Sequence, residues 1–377
     1  MFAGFDLARR SYLPLFLTTD VGFSMSEAAF LVGLTGAWGV LIEFGMSAVG
    51  DSASGHRNPR VFWMISGTAV IVVATFVLTM IPRVSDPLGI AIVLIALITG
   101  WTLCNVTHGA WALEAGRNAH ARSAIFGMRG FFAIAGSAGF ALLAAAINRE
   151  AGGLDAGSPF IAIMLLTGLG IPFLHGWLIL RLGQRRGLPA RPMVRGTAIA
   201  PVKAVFGNAG GRRLALLYGL VGLNSGVGAA TFLIVAREGL GLHAWADLIL
   251  GIYTASAGLG ALASTRWGAL WRSERMMGLL MLGKAVLGLA LLAMPPGRPE
   301  FLALWAMAGG SLAAVNLLAL RLRLGDALDH AEARAGSSQG AMFYAAFHIP
   351  LNVGLAAGGA LALAALGWAG LDPISNR

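Results

Sequence analysis

Long runs of apolar residues, separated by short polar or turn-rich breaks, dominate the sequence. A bilayer core about 30 Å thick requires roughly 20 consecutive apolar residues per helix, and most of these runs reach that length. We therefore expect an all-α integral membrane protein with most of its surface facing lipid. The pattern predicts about eleven transmembrane helices, at 2–19, 27–50, 61–82, 88–112, 123–147, 159–181, 213–236, 246–268, 276–294, 300–323 and 339–368.

The longest polar interruption lies in the middle of the chain. Its sequence, GQRRGLPARPMVRG, runs from Gly183 to Gly196. We divide the chain into a six-helix bundle at 1–182, a linker at 183–212 and a bundle of about five helices at 213–377. Two pseudo-symmetric bundles joined by a basic loop resemble the six-plus-six plan of major facilitator transporters, which bind substrate between the halves. A twelfth helix is missing and the first begins abruptly at Met1, which leaves truncation at either end open.

The charge distribution fits a membrane protein better than a nucleic-acid-binding one. Only 12% of the residues are charged and the mean hydropathy is +0.75, whereas soluble domains carry roughly 25% charged residues. The net charge of +10 does not come from a basic stripe with interleaved aromatic residues, so we expect no nucleic acid partner. Basic residues concentrate in alternate connections, which predicts a cytoplasmic N-terminus and a cytoplasmic central linker. We expect a monomeric, multi-pass protein of a bacterial inner membrane.

Motifs of enzymatic chemistry are absent from the sequence. A single cysteine, Cys104, excludes an internal disulfide and a cysteine-based metal cluster. No P-loop or dinucleotide-binding glycine motif follows a predicted strand, and no His/Glu pair has metalloprotease spacing. We therefore expect no enzyme, no catalytic residue, no metal site and no cofactor. The expected partners are the lipid bilayer and a small-molecule solute.

Charged residues inside predicted membrane helices are the best guide to function. Each costs about 2.5 to 3.5 kcal/mol on insertion scales unless it faces a cavity, a partner or the interface. In the first helix, Asp6 lies three and four residues before Arg9 and Arg10, on the same helical face. Asp6 can neutralise one arginine and leave the other to bind an anionic or hydroxyl-rich substrate. The alternative is that a truncated first helix places all three residues at the membrane interface.

Six further residues interrupt apolar runs. Glu43 has apolar neighbours for a full turn on each side, which suits reversible protonation coupled to transport. Its alternative role is to pair with a basic residue and hold helices together. Arg129 lies two turns into the fifth run and predicts a cavity or gating role, while Lys284 either faces the cavity or snorkels along its stem. Asn352, like Asn224 and Asn316, is expected to form interhelical hydrogen bonds.

Three stretches carry a more specific signal, and they span nearly the whole chain. They are LPLFLTTDVGFSMSEAAFL, WALEAGRNAHARSAIFGMRGFFAIAGSAGF and RLGDALDHAEARAGSSQGAMFYAAFHIPLNV. In this order they resemble the glycoside–pentoside–hexuronide cation symporters, the family of melibiose permease. The resemblance implies that Glu114 is the substrate-binding acid, that Arg129 is the fifth-helix arginine and that Asp326 and Asp329 are paired acids. We expect Arg117, Asp326 and Asp329 to act in gating on the cytoplasmic side.

One departure from that family concerns the coupling ion. Its sodium-linked members carry two acidic residues one turn apart in the second helix, where this chain has Gly39 and Glu43. One carboxylate is a poor sodium site but is sufficient for a proton. The resemblance therefore implies alternating-access symport of a sugar, glycoside or related small polar or anionic solute, with Glu43 carrying a proton. The predicted substrate-binding residues are Asp6, Arg9, Arg10, Glu114, Arg129 and Lys284.

Two other functions stay open at this point. The chain could be a carrier or exporter of amphipathic or lipid-like molecules, which a largely apolar cavity with one charged wall would favour. It could also be a transport-inactive factor for membrane assembly. Charged residues scattered over different helical faces, with no shared crevice, would favour that second alternative.

Overall fold

The computed structural model describes residues 2–49, 59–80, 86–115, 119–150, 157–182, 206–207, 209–265, 274–335 and 340–370. This part of the chain forms eleven helices and contains no strand. Helix α1 consists of Phe2–Leu7, a wide π-helical turn at Ala8–Tyr12 and Leu13–Thr19. The other helices are α2 (Met25–Val49), α3 (Pro59–Met80), α4 (Pro87–Ala115), α5 (Ala119–Glu150), α6 (Gly157–Leu182), α7 (Ala209–Ile234), α8 (Ala246–Thr265), α9 (Glu274–Leu292), α10 (Pro299–Ala335) and α11 (Gly340–Trp368).

Each predicted apolar segment corresponds to one helix, so the predicted all-α membrane architecture is confirmed. Among the described residues, the ten helices α2 to α11 are long and apolar enough to cross a bilayer. The prediction was wrong about the end of α10, which we placed at 323 and which continues to Ala335. The continuation, rich in Ala and Leu, has high helix propensity although it is too polar for the bilayer core. The backbone at Asp326 and Asp329 is therefore helical.

The predicted linker, 183–212, falls mostly outside the described residues, which resume at 206–207 and 209. We use the name linker end for the end of the molecule where α6 finishes and α7 begins. The far end is the opposite one, where α1 and α7 finish and α8 begins.

The two bundles share one hydrophobic core, and it lies mainly towards the far end. There, residues of α1 such as Leu15 and Leu17 belong to the same buried cluster as Leu233 of α7 and Ile249 of α8. Away from the far end, further described core residues form separate clusters within each bundle, represented by Ile71, Cys104 and Ile171 in the first bundle and by Leu214, Leu320 and Phe347 in the second. Across the boundary, α2 packs on α11 and α5 packs on α8. The bundles are thus joined most extensively at the far end.

Candidate functional site

The first part of the site is a charged group on α1. Arg9 Nη2 lies 3.2 Å from Asp6 Oδ1, and Arg10 Nε lies 2.9 Å from Asp6 Oδ2. The wide turn at Ala8–Tyr12 places both guanidinium groups on the same carboxylate. The three side chains keep 22% to 31% of their surface exposed, so they are only partly buried. Both arginines share Asp6, whereas the sequence interpretation paired it with one.

Aromatic residues support this charged group from within the first bundle. The guanidinium carbon of Arg9 lies 5.8 Å from the ring centre of Trp101, over its face. The Trp101 ring in turn stacks against Phe5, with ring centres 5.9 Å apart. A cation over an indole face is attracted by the π electrons, so Trp101 helps to hold Arg9 in place.

Glu43 of α2 brings a second carboxylate to the same region. Its Oε2 accepts a hydrogen bond from Nδ2 of Asn352 on α11 at 2.7 Å. Glu43 also lies within electrostatic range of Arg9 and Arg10. The hydrogen bond joins two helices of different bundles, so Glu43 lies where the bundles meet and beside the charges of α1.

Arg129, together with His348 and Arg321 of the second bundle, forms the remaining basic part of the site. Arg129 of α5 donates a hydrogen bond from Nη2 to Asn105 Oδ1 of α4 at 2.5 Å. His348 of α11 lies within electrostatic range of Arg129, Arg10 and Arg321 of α10. Polar groups therefore enter the site from α1, α2, α4 and α5 in the first bundle and from α10 and α11 in the second.

The sequence interpretation named neither His348 nor Arg321 as a site residue. A usable signal was present in the segment FHIPLNV, where His348 and Asn352 are four residues apart and so share a face of α11. That spacing on an apolar helix is the same pattern that identified Asp6 and Arg10 on α1.

Other predicted site residues lie elsewhere or outside the description. Lys284 of α9 donates a hydrogen bond to Asn224 Oδ1 of α7 at 3.3 Å, and no contact links it to the charged group among the described side chains. The structure does not describe the side chains of Glu114, Asp326 and Asp329, nor any part of Arg117. Their proposed roles in substrate binding and gating stay predictions.

Two bundles of membrane helices with a polar site where they meet define the class of major facilitator transporters. The profile of the family described as "MFS/sugar transport protein" matches residues 2–377, and the chain belongs to that family. It is therefore an integral, multi-pass membrane protein of a transporter family, and not an enzyme. No curated protein matches the sequence significantly.

Solved transporter structures have the same fold. The nucleoside transporter NupG is 13% identical with a TM-score of 0.68, and the match covers 97% of this chain and 89% of that one. The xylose transporter XylE from E. coli, in a partially occluded inward open conformation, is 17% identical with a TM-score of 0.59, covering 98% and 94% of the two chains. At such identities the similarity defines the fold and leaves the substrate open.

Proposed function

We propose that the chain is a proton-coupled secondary transporter of the glycoside–pentoside–hexuronide type, which moves a small polar solute by alternating access. The observation that carries this proposal is the Glu43–Asn352 hydrogen bond. It places a protonatable group of one bundle in direct contact with the other bundle, beside the solvent-accessible charges of α1. We propose an inner-membrane location, with the linker end facing the cytoplasm.

The geometry offers a physical link between protonation and bundle movement. An amide donor binds an ionised carboxylate about twice as strongly as a neutral acceptor. Protonation of Glu43 therefore weakens the contact between α2 and α11 and removes a charge that faces Arg9 and Arg10. One proton thus changes both the strength of the contact between the bundles and the charge of the binding region.

The experiment has two stages. A thermal-shift screen of the purified protein against sugars, glycosides, organic acids and lysolipids identifies a ligand, because a compound that binds the native form stabilises it. In proteoliposomes, that ligand should then drive proton uptake, and Glu43→Gln should abolish the pH change while ligand binding persists. Glu300→Gln, at an exposed carboxylate in the first turn of α10, is the matched control. Transport that ignores both pH and Glu43 would refute proton coupling.

The screen also separates the two alternatives. Stabilisation by lysolipids alone would favour a carrier of amphipathic molecules. The polar groups of both bundles argue against that reading, because such a carrier calls for a largely apolar cavity. A transport-inactive assembly factor needs no shared site, yet Asp6, Arg9 and Glu43 interact with one another.

A further inference from the structure

Among the described side chains of α1 and α2, the charges around Glu43 balance only while its carboxylate is ionised. Asp6 and Glu43 supply two negative charges, and Arg9 and Arg10 supply two positive charges. The Asn352 amide that binds Glu43 is neutral. His348 and Arg321 approach from the second bundle and Arg129 from α5, and all three are basic. Protonation of Glu43 therefore leaves one positive charge uncompensated among Asp6, Arg9, Arg10 and Glu43, which are partly buried.

We propose that the transported solute carries an anionic group, which binds at Arg9 and Arg10 when Glu43 is protonated. This proposal rests on the proposed function and narrows its substrate class. Carboxylate, phosphate and sulfonate share the required chemistry, since each accepts paired hydrogen bonds from guanidinium groups. The proton comes from the solvent on one side and is released on the other. Because each ligand favours the state that binds the other, proton and anion bind cooperatively, and the coupling is reciprocal.

Iodide and the indole of Trp101 allow a test that needs no knowledge of the solute. Trp101 lies beneath Arg9, so its fluorescence reports ions that reach that guanidinium. The Trp101 signal is the fluorescence of a protein minus the fluorescence of the same protein carrying Trp101→Phe. This difference is measured for the parent chain and for each variant below. Quenching by iodide, divided by quenching by neutral acrylamide, measures the preference of the site for anions. At low salt, Glu43→Gln should raise this ratio by at least about threefold, because it removes a nearby negative charge.

Glu300→Gln removes one carboxylate charge away from the site and should leave the ratio unchanged. Acidification should raise the ratio in the parent chain and have little effect in Glu43→Gln. An equal ratio in the parent and Glu43→Gln, or a site that neither quencher reaches, overturns the anion proposal. The measurement involves no transport. Failure of proton coupling with an intact quenching response would therefore be recognised separately.

A second, independent polar cluster lies at the far end. Arg237 and Asp247 form an ion pair, with Nη2 to Oδ2 at 2.8 Å, and are only 3% and 1% exposed. The side-chain amide of Asn148 donates to the same carboxylate oxygen. The fully buried Tyr12 lies within electrostatic range of both charged groups. This cluster lies among the hydrophobic residues that the two bundles share at that end.

The members of the cluster come from both bundles. Arg237 follows α7 and Asp247 begins α8, so the ion pair belongs to the second bundle. Asn148 on α5 and Tyr12 on α1 belong to the first. Separating the bundles at the far end breaks the Asn148–Asp247 hydrogen bond but leaves the ion pair intact and able to hydrate. A buried ion pair is tolerated only when further hydrogen bonds satisfy it, so the Asn148 bond favours the closed arrangement.

We infer that Asn148, Tyr12, Arg237 and Asp247 form a latch that holds the far end shut and releases it when the bundles rock. A reporter for its opening is Ala144→Cys, one turn before Asn148 and fully buried, in a background in which Cys104 is replaced by Ala. The rate of labelling by a membrane-impermeant maleimide, with the protein in nanodiscs, measures access to the far end.

Asn148→Asp replaces the amide donor with a second carboxylate and should raise the labelling rate about tenfold through a population shift. The same change at Asn224, outside the latch, should have no such effect. Should Asn148→Asp not stay monodisperse, Asn148→Ala carries the same test. Unchanged labelling in the folded single variant overturns the latch.

Discussion

At the residue scale, the two polar clusters differ most in their contact with water. The side chains of Asp6, Arg9 and Arg10 are 22% to 31% exposed, whereas those of Arg237 and Asp247 are only 2% to 3% exposed. Charges that remain hydrated can exchange water for a solute. A fully buried pair has no such freedom and acts through the packing that surrounds it.

The burial of the Arg237–Asp247 pair predicts a large effect on stability. Asp247→Ala leaves the Arg237 charge buried without a partner, which should lower the unfolding free energy by about 3 to 5 kcal/mol. The change is measured by denaturant unfolding in detergent micelles. Glu300→Ala breaks the exposed Arg298–Glu300 pair and should cost less than about 1 kcal/mol. Equal effects of the two substitutions would contradict the difference in burial.

Spacing along one helix predicted that Asp6 shares a face with Arg9 and Arg10, since residues three and four apart lie on the same side. The Glu43–Asn352 bond joins residues 309 positions apart, and only the packing of α2 on α11 brings them together. For Lys284, the place in an apolar run left open whether it faces the cavity or snorkels. The run does not specify which neighbouring helix the side chain faces, and its described hydrogen bond goes to Asn224.

At the element scale, the hydrophobic pattern predicted every membrane helix because lipid imposes a minimum apolar length on each one. It did not predict the polar continuation of α10, which depends on helix propensity instead. Nor did it predict which helices approach most closely. The pair α7 and α11 packs through small residues, as in the segment GLAAG at 354–358.

This close approach predicts that bulk on α11 is poorly tolerated. A side-chain carbon added at Gly358 would overlap the carbonyl oxygen of Leu223 on α7. Gly358→Val should therefore lower the unfolding free energy by about 1 to 3 kcal/mol through overpacking. Gly288→Val on α9 is the control, since an added carbon there meets nothing within 4 Å. Equal melting temperatures of the two variants would contradict the packing of α7 on α11.

At the scale of the whole molecule, the two bundles contact each other most extensively at the far end. The alternating-access proposal requires that this junction open. The contact between α5 and α8 offers a place to lock the junction with a disulfide. A β-carbon added at Gly251 would lie 3.7 Å from that of Ala141, within the range found in disulfides.

We therefore expect Ala141→Cys with Gly251→Cys, in a background lacking Cys104, to form a disulfide between the bundles. A protease site inserted between residues 183 and 205 reports the bond, because on a denaturing gel the two halves stay together after cleavage only when oxidised. The oxidised form should also abolish solute flux, and reduction should restore it. Full transport with the disulfide intact would show that the far end need not open.

The wide turn at Ala8–Tyr12 in α1 has a consequence for how the arginines move. Such a turn holds one residue more than the α-helix on either side, and each helical residue advances the chain by about 1.5 Å and 100°. If the extra residue migrates by one position, Arg9 or Arg10 swings around the helix axis while the helix stays whole. A shift of this turn would thus redirect the charged side chains of α1 without unfolding the helix.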